Sequence, residues 1–71
     1  MREFVEYLNE RYDDGRNVPG WEVSPASFTD AAEEMGLVVE SRNNLPHEKG
    51  EIWQFVEFYI DGKRFLTRTA W

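Results

Sequence analysis

In this 71-residue chain, the side chains that could act in catalysis or bind a metal are the carboxylates, the one histidine and the serines. The fourteen acidic residues include the adjacent pairs Asp13–Asp14 and Glu33–Glu34. General acid–base catalysis needs a pocket that shifts the pKa of one carboxyl group, and neighbouring exposed carboxylates give no sign of such a pocket. These pairs therefore predict no catalytic site.

His47 is the only histidine, and the chain has no cysteine. Its nearest potential co-ligand is Glu48, which cannot easily face the same ion from the adjacent position, so His47 is expected to be a solvated loop residue. Ser24 and Ser27 are explained by the chemistry of a helix start, since no histidine lies near them in sequence. We predict no metal, no cofactor and no enzymatic activity.

The last 21 residues, 51–71, are typical of a β-hairpin, because Asp61-Gly62 is a strong signal for a two-residue turn. Counting outward from this turn predicts the register of the two strands. The predicted pairs are Ile60–Lys63, Tyr59–Arg64, Phe58–Phe65, Glu57–Leu66, Val56–Thr67, Phe55–Arg68, Gln54–Thr69, Trp53–Ala70 and Ile52–Trp71. One face, built around Ile52, Val56, Phe58 and Phe65, is predicted to join the core.

The other face of the hairpin carries aromatic and apolar side chains where polar ones would be usual. We name it the aromatic sheet face, and it consists of Trp53, Phe55, Tyr59, Arg64, Leu66 and Arg68. Aromatic residues and arginine are enriched at the centres of protein interfaces. Alternatively, the arginines lie over Tyr59 and Phe55 as cation–π pairs while the loop 43–50 covers the rest. The face also has the composition of a stacking platform for single-stranded nucleic acid, although its balanced charge argues against that use.

Two helices precede the hairpin. Residues 2 to about 14 carry an apolar stripe, and Gly15 is a plausible stop. The stripe consists of Met1, Phe4, Val5, Leu8 and Tyr12. Further on, Pro19-Gly20 suits a type II turn, after which Trp21 and Val23 return the chain to the core.

The second helix has complete start and stop signals. Ser24 is the predicted N-cap, Pro25 the first helical residue, and Val23 is placed to pack on Phe28. Gly36 is predicted to end the helix. Its buried stripe is Phe28, Ala31, Ala32 and Met35.

Residues 37–42 alternate with period two and predict a short strand. We therefore expect one α+β domain over residues 1–71, with two helices packed on one face of a three-stranded antiparallel β-meander of order 1-2-3 (ααβββ).

A winged helix-turn-helix has a similar order of elements. Its recognition helix would span residues 25–35 and present acids to DNA phosphates, which argues against DNA binding.

Acidic side chains lie on the side of each predicted helix away from its apolar stripe. We name this the acidic helical face, and it consists of Glu3, Glu6, Glu10, Asp13, Asp14, Asp30, Glu33 and Glu34. If both helices cover the same side of the sheet, these acids form one outer surface. Such a surface is suited to imitate nucleic acid or to dock on a basic groove, although most acidic rows are simply solvated helix faces.

The net charge of −6 is distributed unevenly: residues 1–40 hold ten acids and three bases, while residues 41–71 hold four acids and five bases. This charge opposes direct binding to nucleic acid or anionic lipid. No apolar run approaches the roughly 18 residues needed to span a bilayer, and the N-terminus lacks the apolar region of a signal peptide. The absence of cysteine fits a reducing compartment, so a cytoplasmic location is expected.

In size, charge and lack of catalytic motifs, the chain resembles small phage-encoded inhibitors, including anti-CRISPR proteins and inhibitors of host polymerase. This resemblance carries over no residues. It implies a non-enzymatic acidic module that binds a protein, namely an inhibitor or adaptor that docks on a nucleic-acid-handling protein. The alternatives are a homodimeric structural or regulatory subunit joined through its sheet face, and a single-strand nucleic-acid binder that uses the aromatic sheet face.

Overall fold

Two helices and four strands make up the fold, in a computed structural model that describes residues 1–12 and 17–70. The elements are α1 (Arg2–Arg11), β1 (Trp21–Glu22), α2 (Pro25–Glu34), β2 (Ser41–Asn44), β3 (Trp53–Ile60) and β4 (Lys63–Ala70). The suggested stop at Gly15 lies outside the described residues, as does Trp71.

The predicted three-stranded antiparallel meander is wrong. The sheet has four strands in the order β1-β4-β3-β2, and β1 pairs with β4 in parallel, so the sheet is mixed. The three antiparallel strands do follow one another with β3 beside both others. The additional edge strand, β1, comes from the segment between the two helices.

That added strand has a sequence signal that the prediction did not use. Trp21 and Val23 face the helices while Glu22 lies on the other side, which is the alternation of a strand. Trp21 lies opposite Thr67, and the Val23 N–H donates to the Arg68 carbonyl at 3.1 Å. The alternation covers only three residues, so it becomes informative only together with the edge of β4 on which the segment pairs.

The strand predicted at residues 37–42 begins later, at Ser41. Ser41 pairs with Tyr59, and continuing that register would place residues 38 and 39 opposite the Asp61-Gly62 turn, where no strand is available. The Glu40 side chain instead accepts a hydrogen bond from the Gly62 N–H at 2.9 Å. The length of β3 therefore sets the start of β2.

The hairpin register is confirmed from Ile60–Lys63 to Trp53–Ala70. Asp61 and Gly62 both have positive φ, 53° and 74°, as the two-residue turn requires. The assignment of Ile52 to the core is wrong, because this side chain is 66% exposed and precedes the first residue of β3. Its predicted partner, Trp71, lies outside the described residues.

Both boundaries of α2 follow the predicted signals. The Ser24 Oγ accepts from the Ser27 N–H at 3.1 Å, and Pro25 is the first helical residue. At the other end Gly36 has φ of 73°, and the Leu37 N–H donates to the Ala32 carbonyl at 2.9 Å. These bonds close the helix in the manner of a Schellman motif.

The two helices cover one face of the sheet through a cluster of phenylalanines. Phe28 stacks on Phe58 of β3 with ring centroids 4.4 Å apart, and Phe4 meets Phe28 edge-on at 5.4 Å. Phe4 and Phe28 also contact Phe65 of β4. The buried apolar residues are Phe4, Leu8, Val23, Phe28, Ala31, Ala32, Val56, Phe58, Ile60 and Phe65. This packing leaves the aromatic sheet face on the side away from both helices.

Candidate functional site

The structure places the two predicted surfaces on opposite sides of the molecule. The core side chains of β3 and β4 alternate with those of the aromatic sheet face, which therefore point away from the helices. Trp53, Phe55, Tyr59 and Leu66 are each half-buried. The alternative in which the loop 43–50 covers this face does not apply to its first residues, because residues 43 and 44 belong to β2 and the Leu45 N–H donates to the Phe55 carbonyl at 3.0 Å.

Arg68 is the exception on this face, since it is only 2% exposed. Its guanidinium lies 4.6 Å from the ring centroid of Trp53. Its Nε donates to the Gly20 carbonyl at 3.1 Å, and its Nη1 approaches the Glu22 carboxylate at 3.4 Å. The expected stacking partner, Phe55, lies directly opposite Arg68 in the ladder, but Trp53 lies under the guanidinium. Arg68 therefore ties the β1 segment to the hairpin.

Gly20 makes this arrangement possible. Its φ is 86°, and a Cβ atom at this position would lie 2.8 Å from the Leu66 carbonyl oxygen. A side chain would thus separate the β1 segment from β4 and move the Gly20 carbonyl away from Arg68. Sequence reasoning assigned Gly20 to a turn but missed this close approach, as it missed Glu22.

A second set of polar contacts on the same side of the sheet joins Arg64, Glu57 and Asn43, which lie on three neighbouring strands. The Arg64 Nε donates to one oxygen of Glu57 at 2.6 Å, and Asn43 Nδ2 donates to the other at 3.2 Å. The hydrogen bond to Glu57 is the main reason that the pKa of Arg64 is raised above its ordinary value. The interaction is present below that ordinary pKa and is lost only as the pH rises through the still higher folded value, so Arg64 stays charged at physiological pH.

The acidic helical face is exposed wherever the structure describes it. Both helices lie on the same side of the sheet, so their acids share an outer surface. Glu3, Glu6, Glu10, Asp30, Glu33 and Glu34 are all exposed, whereas Asp13 and Asp14 lie outside the described residues. Among these six described acids, only Glu6 has an ion-pair partner, Arg2 at 3.2 Å.

The acids of α2 lie where the helix disfavours them. Glu33 and Glu34 end the helix, its last turn has no basic residue, and its first turn has no acidic one. The carbonyl ends at a helix C-terminus already carry partial negative charge, so carboxylates there are unfavourable. Asp30 lies one turn earlier and repels both glutamates. The three carboxylates thus concentrate negative potential at one end of α2, at some cost in helix stability.

The residues considered for catalysis or metal binding are not brought into such a site. His47 is half-buried in the segment after β2, so the expectation of a solvated loop histidine is only partly met. Within residues 1–12 and 17–70, no group of three His, Cys, Asp or Glu side chains is arranged to hold a metal ion, and no ligand-sized cavity opens. Ser24 is engaged as the α2 N-cap.

No protein-family model, curated protein or solved structure matches this chain. Neither of the two described helices has the length and apolar character needed to cross a membrane.

Proposed function

We propose that this chain is a non-enzymatic, acidic protein-binding module that docks through its acidic helical face on a basic, nucleic-acid-binding groove of a partner protein. Bound there, it acts as an inhibitor or adaptor of a nucleic-acid-handling protein. We place this activity in the cytoplasm, in keeping with the absence of cysteine.

The observation that carries the proposal is the position of Asp30, Glu33 and Glu34. Glu33 and Glu34, in the last turn of α2, each lower helix stability by about 0.3–1 kcal/mol, and Asp30 adds repulsion between like charges. A basic partner reverses the sign of this interaction, because its lysines and arginines are attracted by the carboxylates and by the helix end together. The placement is therefore explained by binding better than by folding.

The first helix extends the same negative surface. Glu3, Glu6 and Glu10 follow one another at steps of three and four residues, which corresponds to about 4.5 and 6 Å along a helix axis. A nucleic-acid strand carries one charge per about 3.4 Å of axis. The carboxylates along α1 are thus spaced on a scale similar to the phosphates of one strand, with Arg2 offsetting the charge of Glu6, and this spacing supports imitation of a nucleic-acid backbone.

The electrostatics also predict how binding occurs. A chain of net charge −6 is attracted over a distance to a basic groove, so the association rate should be high at low ionic strength and fall as salt is added. Nucleic acid and this chain would compete for the same lysines and arginines. Direct binding of nucleic acid by the aromatic sheet face is disfavoured, since Arg64 and Arg68 each already interact with a carboxylate.

The experiment that tests the proposal is site-directed photo-crosslinking in a lysate of the source organism. A benzophenone amino acid is placed at Glu33, within the acidic helical face, and, as a matched control, at exposed Lys49, outside it. The proposal predicts a nucleic-acid-binding protein that crosslinks from position 33, is lost on addition of excess nucleic acid, and is absent from position 49. A partner that crosslinks equally from both positions, or is insensitive to nucleic acid, would contradict it.

A further inference from the structure

The turn of the hairpin is one of two Asp-Gly pairs in the sequence, Asp14-Gly15 and Asp61-Gly62. Aspartate isomerises most readily when glycine follows it, because glycine has no side chain to shield its backbone nitrogen. Both Asp61 and Gly62 are exposed, so water reaches them directly. The turn is therefore a candidate site of backbone modification.

The modification has two steps and needs only water. The Gly62 nitrogen loses its proton and attacks Cγ of the Asp61 carboxyl group, which releases one oxygen as water and closes a five-membered succinimide ring. Water then opens the ring at either carbonyl carbon. Attack at Cγ restores aspartate. Attack at the main-chain carbon gives isoaspartate, in which Cγ carries the peptide bond to Gly62 and the former main-chain carbonyl becomes a free carboxylate.

The folded turn blocks the first step. Asp61 has φ of 53° and Gly62 has φ of 74°, the combination of a type I′ turn. Ring closure requires the Asp61 Cβ and the Gly62 nitrogen to be eclipsed about the Cα–C bond. In a type I′ turn the first central residue has ψ of about 30°, which places these two atoms about 150° apart around that bond. The carboxyl group therefore reaches the nitrogen only after the peptide plane between Asp61 and Gly62 has rotated.

A hydrogen bond from outside the turn opposes this rotation. The Gly62 N–H donates to Glu40 Oε1 at 2.9 Å, across 22 positions in sequence. Glu40 is itself fixed to the hairpin, because its N–H donates to the Tyr59 carbonyl at 2.8 Å. Rotation of the peptide plane has to break the bond to the Glu40 carboxylate. Glu40 thus holds the turn in the conformation that cannot form the ring.

We propose that Asp61-Gly62 is an isoaspartate-forming site, which Glu40 protects in the folded chain and which reacts when the turn opens locally. Isomerisation adds one main-chain atom between Ile60 and Lys63, so the turn no longer matches this pair. Because the turn sets the register of the hairpin, the modified chain loses its native strand pairing. The proposal is independent of the proposed function, since neither Glu40 nor Asp61 belongs to the acidic helical face.

Peptide mapping after prolonged incubation in mildly acidic buffer tests the proposal. Trypsin cuts after lysine and arginine, so it places the two Asp-Gly pairs in separate peptides, 12–16 and 50–63. Liquid chromatography with mass spectrometry then quantifies isoaspartate in each peptide. In the folded wild type, Asp61-Gly62 should isomerise more slowly than in the same chain unfolded in urea, by a factor of about ten or more.

Glu40→Ala should raise the rate at Asp61-Gly62 about 3–10-fold, because rotation of the peptide plane no longer breaks a hydrogen bond to a charged group. Glu40→Gln is the matched control: it keeps an acceptor oxygen at the same reach and should stay within about twofold of the wild type. Hydrogen exchange separates local opening from global unfolding. In Glu40→Ala the Gly62 amide should exchange faster, while the amide of Phe58 in the middle of β3 should not.

The proposal fails if folded wild type isomerises at Asp61-Gly62 as fast as the chain in urea. It fails equally if Glu40→Ala leaves the rate unchanged or lowers it, since a lower rate would mean that Glu40 acts as a base on the Gly62 N–H. A rise accompanied by faster exchange at Phe58 would assign the protection to global stability and overturn the role of Glu40.

Discussion

The guanidinium of Arg68 lies 4.6 Å from the ring centroid of Trp53, on the face of the sheet opposite the helices. Arg68 belongs to β4 and Trp53 to β3, and the guanidinium also contacts the Gly20 carbonyl and Glu22 of β1. One side chain therefore connects three neighbouring strands. The parallel edge strand is held to the sheet by this contact as well as by its backbone pairing.

Replacing Arg68 with alanine should lower the free energy of unfolding by about 2–4 kcal/mol, because it removes a fully buried side chain and leaves the Gly20 carbonyl without this donor. Glu22 is 52% exposed and can be hydrated, so its loss of a partner adds little. Urea denaturation measures the change. Arg64→Ala, on the same strand and face but 49% exposed, is the control and should cost less than about 1 kcal/mol. Equal losses would contradict the special role of Arg68.

Substitution of Gly20 by alanine should cost more than about 2 kcal/mol, since it adds a clash with the Leu66 carbonyl to the strain of a positive φ. Gly36 is the matched control. Its φ of 73° is similar, but a Cβ there would meet nothing within 4 Å, so Gly36→Ala should cost only about 1 kcal/mol. Thermal unfolding of both variants measures the difference. If both variants lose the same free energy of unfolding, the close approach of Gly20 to Leu66 does not contribute to stability.

Ser24→Ala should destabilise the fold by about 1 kcal/mol, because the Ser27 N–H loses its acceptor at the start of α2. Ser27→Ala is the control: Ser27 contributes its backbone N–H to this bond, and alanine is the better helix former. Urea denaturation should therefore show a loss for the first variant and none for the second. A loss confined to Ser27→Ala would show that Ser24 is not the functioning cap.

Glu33→Lys and Glu34→Lys should each stabilise the free protein by about 0.3–1 kcal/mol at low salt, because a cation at the end of α2 is favoured where a carboxylate is not. Glu3→Lys, in the first turn of α1, should do the reverse. Melting temperatures at low and high salt give both the sign and its screening. If Glu33 and Glu34 are instead neutral or stabilising, these carboxylates need no functional explanation.

The sequence predicted those parts of the fold in which local signals agree with one another. The Asp61-Gly62 turn determines every pair of the hairpin from Ile60–Lys63 to Trp53–Ala70, and Ser24 and Gly36 mark the ends of α2. The start of β2 was not predictable in this way, because it depends on where β3 ends. Ile52 was misplaced because strand alternation continues in sequence beyond the point where β3 begins.

The candidate surfaces show the same division. The periodicity of the helices predicted the face on which the acidic side chains lie, and the periodicity of the strands predicted the face on which the aromatic side chains lie. The burial of Arg68 could not be predicted, because its partners Glu22, in the two-residue strand β1, and Gly20, just before that strand, are more than 40 residues away in sequence. The structure gives Arg68 a structural role, and its part in partner binding stays a prediction.

We propose that the acidic helical face occupies a nucleic-acid-binding groove of a partner protein. Its most direct test is competition between this chain and a labelled nucleic acid for the protein crosslinked at position 33, measured by fluorescence anisotropy at several salt concentrations. The wild type should displace the nucleic acid. The triple variant Asp30→Lys/Glu33→Lys/Glu34→Lys should do so at least tenfold less well and with a weaker salt dependence, while Phe55→Ala should act as the wild type does. Displacement that is unaffected by the triple variant, or no displacement by the wild type, would contradict the claim.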